Sequence, residues 1–217
     1  MYGLRCLVFC SLCIVSTHVI AIWAKRNKPE KAIGEGIHVK VKPYYDTRFA
    51  GTKNETELKQ HFNTIFKKVQ DRFHEKSIKV TFEVTDAEKE DKLVEYYNKT
   101  EEIVNGNGTL ENLKKEADRE ILHKLNSIHY FFSGSYIYEN ETMHQDGVYT
   151  PHTFCTVSAT ATVIQSMPDP NFWMTPYKMT LFLFGSRHTP QPDEQDYRKM
   201  NDTFQLCLRP GGREVLH

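Results

Sequence analysis

A histidine that follows a glycine at the end of an apolar segment is the first candidate for chemistry in this sequence. The segment from Lys178 to Phe184 is rich in apolar residues, Gly185 follows it directly, and His188 comes three residues later. Glycine just past the last turn is a common way to end a helix. The histidine is therefore either an ordinary helix-end residue or a metal ligand that a tight turn brings back towards the helix.

Other groups that could perform chemistry form no recognisable pattern. His144 and His152 do not match the spacing of a known set of metal ligands. No serine occupies the centre of a Gly-x-Ser-x-Gly turn, so a serine hydrolase of that type is not indicated. These observations predict no catalytic nucleophile, no bound metal and no cofactor.

The first 21 residues have the pattern of a secretory signal peptide. Arg5 precedes an apolar run from Cys6 to Val15, and Ala21 ends a stretch of small or aliphatic residues suited to cleavage, with Ala24 as a second candidate cleavage site. The apolar run is too short to cross a bilayer, and no later stretch reaches the roughly 20 apolar residues that a spanning helix needs. We expect a signal peptide at 1–21, a single domain at 22–217, and a secreted monomer without a membrane anchor.

Cysteine usage fits an oxidising compartment. Three of the five cysteines lie in the predicted leader, so Cys155 and Cys207 are the pair that remains. In an oxidising compartment we expect these two residues to form a disulfide. The bond would close a loop of about 50 residues and contribute roughly 4 kcal/mol by the chain-entropy estimate.

The surface composition favours an extracellular glycoprotein. The 28 Lys and Arg residues balance 28 Asp and Glu residues, and loss of Arg5 with the leader leaves a net charge of −1. A balanced charge offers no basic surface for nucleic acid or anionic lipid. Asn-x-Thr sequons predict N-linked glycans. They lie at Asn54, Asn98, Asn107, Asn140 and Asn201.

The first half of the chain predicts alternating strands and helices. Polar and apolar residues alternate from Ile37 to Val41 and again from Ile78 to Val84, which is typical of strands. Between them, apolar residues from Glu55 to Glu75 fall on one face of a helix. A strand, a helix and a strand in this order predict a crossover unit with parallel strands.

The same order then repeats with a less regular connection. The charged segment 86–109 is predicted to lie on the surface, with a short helix around Leu93 to Tyr97. A second long helix is predicted from Leu110 to Leu125 with Thr109 as its N-cap. A strand follows from His129 to Ser133. Two crossovers predict an α/β fold with a mainly parallel sheet flanked by helices.

The last part of the chain supplies an edge strand and two helices. The segment from Gly147 to Ser166 is predicted as strand, and Pro151 restricts its first part to an edge or a loop. The apolar helix that ends at Gly185 comes next. A final short helix carries Tyr197, Met200 and Phe204 on one face.

This order of elements resembles the catalytic domain of metzincin zinc peptidases of the reprolysin type, from about Ile37 to Pro210. Within that group the chain is most similar to secreted salivary metalloprotease-like proteins of ticks. The resemblance implies a three-layer α+β fold with a mainly parallel twisted sheet, two long helices, an edge strand and an active-site helix. It also implies a bond between the edge-strand cysteine and one near the C-terminus, which Cys155 and Cys207 would match.

The zinc motif of that family, HExxHxxGxxH, is degenerate in this chain. Aligned with Lys178 to His188, it matches only at Gly185 and His188. Lys178 and Phe182 stand where the family has its first two zinc-binding histidines, and Met179 stands where it has the glutamate base. The resemblance therefore implies a pseudoenzyme, in which Phe182 is expected to be buried as part of a packing helix.

Two function classes compete, and an active protease is a third and less favoured class. The first is a catalytically inactive binding module, which would either pair an extended peptide with the sheet edge or bind a host protein through another surface. The candidate edge residues are Gly147, Val148, Tyr149 and Thr153. The alternative is a secreted small-molecule carrier of lipocalin type, which would need a closed β-barrel. Two long amphipathic helices in the first half argue against the barrel.

Overall fold

A computed structural model describes residues 31–100, 102–120 and 125–208 of the chain. The predicted signal peptide lies outside these residues, as does Ile121 in the second predicted helix. The described residues from Ala32 onward form one compact unit. In the described ranges, no helix has the length and apolar character that crossing a bilayer requires.

Strands in the described residues form two sheets. In chain order they are β1 (His38–Tyr45), β2 (Thr81–Val84), β3 (Glu88–Lys89), β4 (Tyr96–Asn98), β5 (Ile103–Asn105), β6 (Ser127–Ser133), β7 (Ile137–Asn140), β8 (Met143–Gln145), β9 (Gly147–Tyr149) and β10 (Ala161–Gln165). The larger sheet has the order β2-β1-β6-β10-β9, and β3 also pairs with β1. All its pairings are parallel except that of the edge strand β9 with β10. The predicted mainly parallel sheet is confirmed.

Helices cover both faces of the larger sheet. In chain order they are α1 (Thr47–Ala50), α2 (Glu55–Glu75), α3 (Gly106–Glu120), α4 (Met174–Leu183) and α5 (Glu194–Leu208). One face packs against α2, α4 and α5 through a cluster that includes Val39, Phe66 and Leu181. The other packs against α3 through residues such as Leu113 and Phe131. A parallel sheet is normally covered in this way, and the predicted three-layer α/β fold is confirmed.

The helix α2 forms where the apolar periodicity predicts it. Asn54 and Glu57 make a reciprocal capping box, in which each side chain accepts the backbone N–H of the other residue. Leu58, Ile65 and Val69 lie on its buried face. The last predicted helix, α5, is also present.

A second sheet, with the order β4-β5-β7-β8, was not predicted. The short helix predicted around Leu93 to Tyr97 is wrong, because a 3₁₀ turn at Asp91–Leu93 leads directly into β4. Tyr96 of β4 pairs with Val104 of β5. Periodicity cannot distinguish helix from strand over so few residues, and pairing with a neighbouring strand determines the outcome.

The helix α3 begins earlier than predicted. The side-chain oxygen Oδ1 of Asn105 accepts the N–H of Gly108 at 3.0 Å, so Asn105 caps a helix that begins at Gly106. Thr109, the predicted N-cap, is fully buried, and its hydroxyl oxygen accepts the N–H of Glu95 at 3.0 Å. The prediction failed because two glycines, which are poor helix formers, occupy the first turn.

The predicted disulfide between Cys155 and Cys207 is present, with a separation of 52 residues. Cys155 does not lie on a strand as predicted, but in the loop between β9 and β10. His152 and Cys155 both have φ values of 58°, a left-handed backbone conformation that interrupts an extended strand. The segment from Gly147 to Ser166 is therefore two strands with a loop between them, and the disulfide links this loop to α5.

His61 on α2 is a buried histidine, with 6% of its surface exposed. Its ring lies 5.8 Å from that of Phe49 and 5.4 Å from that of Phe62, measured between ring centroids. Neither ring nitrogen has a hydrogen-bond partner within the described part of the chain. Burial, with a smaller contribution from Lys53, lowers the pKa of His61 from 6.5 to about 4. The ring is therefore neutral near pH 7.

We expect His61 to make stability depend on pH between 6.5 and about 4. In this window the unfolded state binds more protons than the folded state, so stability is full above pH 6.5 and falls on acidification. The loss attributable to His61 is at most roughly 3 kcal/mol. Urea unfolding at neutral pH and near pH 4 should show a smaller acid loss for His61→Leu than for the wild type. His38→Leu, which replaces an exposed histidine, serves as the control. Equal losses of stability on acidification in the wild type and in His61→Leu would contradict the expectation.

Candidate functional site

A groove of about 500 Å³ opens between α4 and the edge of the larger sheet. Lys178, Met179 and Phe182 of α4 contribute one wall, so three of the degenerate motif positions face the groove. The segment from β8 to β9 contributes the opposite wall. The lining residues are His144, Gln145, Asp146, Gly147, Tyr149, Lys178, Met179, Phe182 and Thr189. This groove is the candidate site.

A buried hydrogen bond sets the rotation of α4 about its axis. Thr180 Oγ1 lies 2.6 Å from the Tyr130 hydroxyl on β6 and 2.6 Å from the carbonyl oxygen of Pro176. Since the one hydroxyl proton of Thr180 is donated to Pro176, the Tyr130 hydroxyl donates to Thr180. Burial raises the pKa of Tyr130, which keeps that proton in place. With Thr180 held against the sheet, Lys178 and Phe182 are directed to the groove.

Gly185 ends α4, as predicted. Its φ of 103° lies in the region that favours glycine. The N–H of Gly185 donates to the carbonyl of Phe182 at 3.0 Å, and the N–H of Ser186 donates to that of Leu181 at 2.9 Å. These two bonds define a Schellman motif. The motif ends the helix and redirects the chain towards α5.

Lys178 places an ammonium group at the groove. Its side chain is 33% exposed, and its Nζ lies 3.6 Å from Oδ2 of Asp146. An ammonium has proton donors but no lone pair, so it cannot bind a metal ion. Met179, at the motif's general-base position, is 5% exposed and has no group that takes up a proton near neutral pH.

Phe182 stacks on Tyr149 of the edge strand. The two ring centroids are 5.1 Å apart and the ring planes differ by 6°. Phe182 is only partly buried and packs against the rim of the core, so the expectation of a largely buried Phe182 is wrong. The side chain lines the groove because α4 is apolar on most sides and turns this position outward. The stack joins α4 to β9.

The edge strand β9 directs alternate backbone groups away from the sheet. The N–H of Thr150 donates to the carbonyl of Ala161 at 2.9 Å. Bonding alternates along an antiparallel strand, so Val148 also bonds towards β10. The N–H and C=O groups of Gly147 and Tyr149 therefore point away from β10, where a further strand could pair with them.

The candidate edge residues do not all belong to this strand. Val148 is 7% exposed and contributes to the core. A Cβ at Gly147 would lie 2.7 Å from the carbonyl oxygen of Val163, so the close pairing with β10 requires glycine here. Thr153 lies beyond β9 in the following loop, where its hydroxyl is 2.8 Å from that of Thr150. Of the predicted edge, Gly147 and Tyr149 line the groove.

His144 and Asp146 also line the groove, although the sequence did not identify them as part of it. His144 Nε2 lies 2.8 Å from Gln165 Oε1, and its ring packs edge-on against Tyr136 and Tyr138. His144 belongs to β8 of the unpredicted second sheet, and Asp146 follows that strand. No sequence pattern placed either residue beside α4.

His188 helps to cap α5 and is not among the groove-lining residues. Its Nδ1 lies 2.8 Å from Oδ2 of Asp196. Asp193 and Asp196 form a reciprocal capping box at the start of α5. Burial by itself would raise the pKa of Asp196, but hydrogen bonds from the N–H groups of Arg187 and Asp193 and from His188 hold it below its usual value.

The side chains of His188, Asp193 and Asp196 bring potential ligand atoms within 4.8 Å of one another. The Asp196 carboxylate accepts the N–H of Arg187 at 2.8 Å and that of Asp193 at 3.0 Å. These hydrogen bonds explain why the three side chains lie close together, because the Asp196 carboxylate is part of the cap at the start of α5. His188 therefore bonds the carboxylate of the next helix, and its role does not require a metal.

No protein-family model and no curated protein matches this chain. Metalloproteinase-II from Bacteroides fragilis is similar in structure, with a TM-score of 0.50 and 11% identity over 82% of this chain and 56% of its own length. Archaemetzincin from Methanopyrus kandleri has a TM-score of 0.46 and 14% identity, over 81% of this chain and 98% of its own. A zinc-dependent peptidase from Methanocorpusculum labreanum has a TM-score of 0.48 and 10% identity, over 75% of this chain and 92% of its own length.

At such identities a structural similarity shows the fold alone. The Bacteroides fragilis structure places this chain among proteins with a metalloproteinase-like α/β fold. The groove beside α4 carries Lys178, Met179 and Phe182, and their alignment with the zinc motif rests on the sequence.

We expect two neighbouring phenylalanines of this segment to differ in their contribution to stability. Phe184 is fully buried, and Phe184→Ala should cost about 3 to 5 kcal/mol. Phe182 is partly exposed, so Phe182→Ala should cost only about 1 to 2 kcal/mol, from lost contact area and the stack with Tyr149. Urea unfolding of both variants measures the difference. A similar large loss for Phe182→Ala would show that this side chain is part of the core after all.

Proposed function

We propose that the protein is a catalytically inactive, metalloproteinase-like binding module. The observation that supports this proposal is the presence of Lys178 and Phe182 in the groove, at the two positions aligned with zinc-binding histidines. Neither side chain offers a lone pair suited to zinc, and a catalytic zinc site normally needs three protein ligands. Met179 cannot act as the general base that activates water.

The ligand that we propose is a peptide in extended conformation. The outward N–H and C=O groups of Gly147 and Tyr149 would pair with its backbone, as in other complexes that add a strand to a sheet edge. The aromatic rings of Tyr149 and Phe182 and the Met179 side chain would contact its side chains. The groove of about 500 Å³ is large enough to hold several of them.

Secretion, glycosylation and a partner of host origin remain predictions from the sequence and from its resemblance to tick salivary proteins. The surface positions of Asn54, Asn107 and Asn140 are compatible with glycans. The lipocalin-type alternative is not favoured, because the larger sheet in the described residues is open, with edge strands β2 and β9.

The proposal predicts that the purified protein contains no stoichiometric zinc and hydrolyses no peptide. Elemental analysis after purification without added metal should find far less than one zinc per chain, because the groove lacks a ligand set. As a matched control, the triple variant Lys178→His, Met179→Glu, Phe182→His restores two histidines one turn apart. Added zinc should raise its melting temperature and leave that of the wild type unchanged. About one zinc per wild-type chain would overturn the proposal.

Binding of an extended peptide depends on the backbone of the edge strand. We expect Tyr149→Pro, which removes an outward N–H group, to weaken binding more than Tyr149→Ala, which removes only the ring. Fluorescence anisotropy can measure the affinity of each variant for labelled, end-capped peptide pools. The peptides would have about eight uncharged residues, which is within the length range of ordinary strands. Equal binding by the two variants would exclude strand pairing, and absence of binding by the wild type would refute a peptide ligand.

A further inference from the structure

The Lys178 ammonium has only a distant charged partner at the groove. Lys59 and Lys114 contact a carboxylate closely, at 2.8 Å from Asp86 and from Glu111, whereas Lys89 on the exposed strand β3 lies 3.6 Å from Asp91. Lys178 has Asp146 at 3.6 Å, which is beyond hydrogen-bond distance. Among the described residues no acceptor lies within hydrogen-bond distance of its Nζ. All three N–H donors of this ammonium are available to a ligand.

The surroundings of Lys178 favour an anionic ligand. Met179, Phe182 and Tyr149 provide apolar wall beside it, and water is a weaker competitor for charged groups next to such a wall. Asp146 is 59% exposed and lies too far away to engage the ammonium closely. Such an exposed pair is weak, so a carboxylate that enters the groove can replace it with a short charge-assisted hydrogen bond.

We propose that the groove selects peptides that carry a carboxylate, which Lys178 binds. This inference rests on the proposed peptide-binding function. The carboxylate belongs either to a Glu or Asp side chain or to the C-terminus of the peptide, since both present the same chemical group. The backbone groups of Gly147 and Tyr149 hold the peptide along β9, and Lys178 binds one carboxylate of the peptide from the opposite wall of the groove.

The test uses the full mature chain and four labelled peptide pools of about eight residues. All positions are drawn from uncharged amino acids except the central one, which is Glu, Gln or Lys in three end-capped pools. The fourth pool has a central Gln and a free C-terminal carboxylate. The Glu pool, the free-carboxylate pool or both should bind roughly tenfold more tightly than the capped Gln pool. Which of the two pools gains identifies the source of the carboxylate.

Substitutions in the protein identify the side chain that binds the carboxylate of the peptide. For each carboxylate pool that binds more tightly, Lys178→Gln should bring the ratio of its affinity to that of the capped Gln pool close to one, and Asp146→Asn should increase this ratio because the competing carboxylate is removed. Lys114→Gln is a matched control, since Lys114 is also 33% exposed and ion-paired but lies on α3. It should leave the ratio unchanged.

Each outcome has a separate meaning. Equal binding of all four pools would overturn carboxylate selection and leave peptide binding intact. Preference for the Lys pool would overturn it as well, because Asp146 would then be the recognition group. If no pool binds, both the inference and the proposed function fail.

Discussion

The hydrogen bond from Tyr130 to Thr180 is the interaction on which the geometry of the groove depends. Both side chains are fully buried, and an unpaired hydroxyl there would cost about 1 to 3 kcal/mol. This penalty holds α4 in one rotation against the central strand β6. Residues of a helix are about 100° apart, so Lys178 and Phe182, each two positions from Thr180, lie about 160° away from it on opposite sides. They therefore share the outer face of α4.

The composition of that outer face determines what the groove can do. Histidines one turn apart would converge on a metal ion, whereas Lys178 and Phe182 have no common ligand. Phe182 contacts Tyr149, and such an aromatic pair contributes about 0.5 to 1.5 kcal/mol beyond the area that it buries. The stack supports β9 from one side and does not use its backbone groups. The edge strand therefore keeps the N–H and C=O groups of Gly147 and Tyr149 available for pairing.

Much of the fold could be predicted because its long elements carry strong periodic patterns. The helix α2 shows one apolar face over 21 residues, and β1 alternates along its first half. The second sheet escaped prediction because its strands have only three or four residues. The orientation of Phe182 could not be predicted from the sequence for a different reason. Most of α4 is apolar, so its pattern does not show which face is exposed, and the bond that decides it joins Tyr130 and Thr180, 50 residues apart.

The two motif positions that match the zinc peptidases have structural roles that need no metal. Gly185 has a positive φ that the Schellman motif requires. His188 bonds Asp196, whose buried carboxylate also accepts backbone N–H groups at the start of α5. Replacing either residue would disturb the connection from α4 to α5 whether or not zinc had ever been bound. A match to the motif at Gly185 and His188 therefore indicates how the chain turns after α4. In the proposed peptide-binding function, the choice of ligand depends on the positions that differ from the motif, and above all on Lys178.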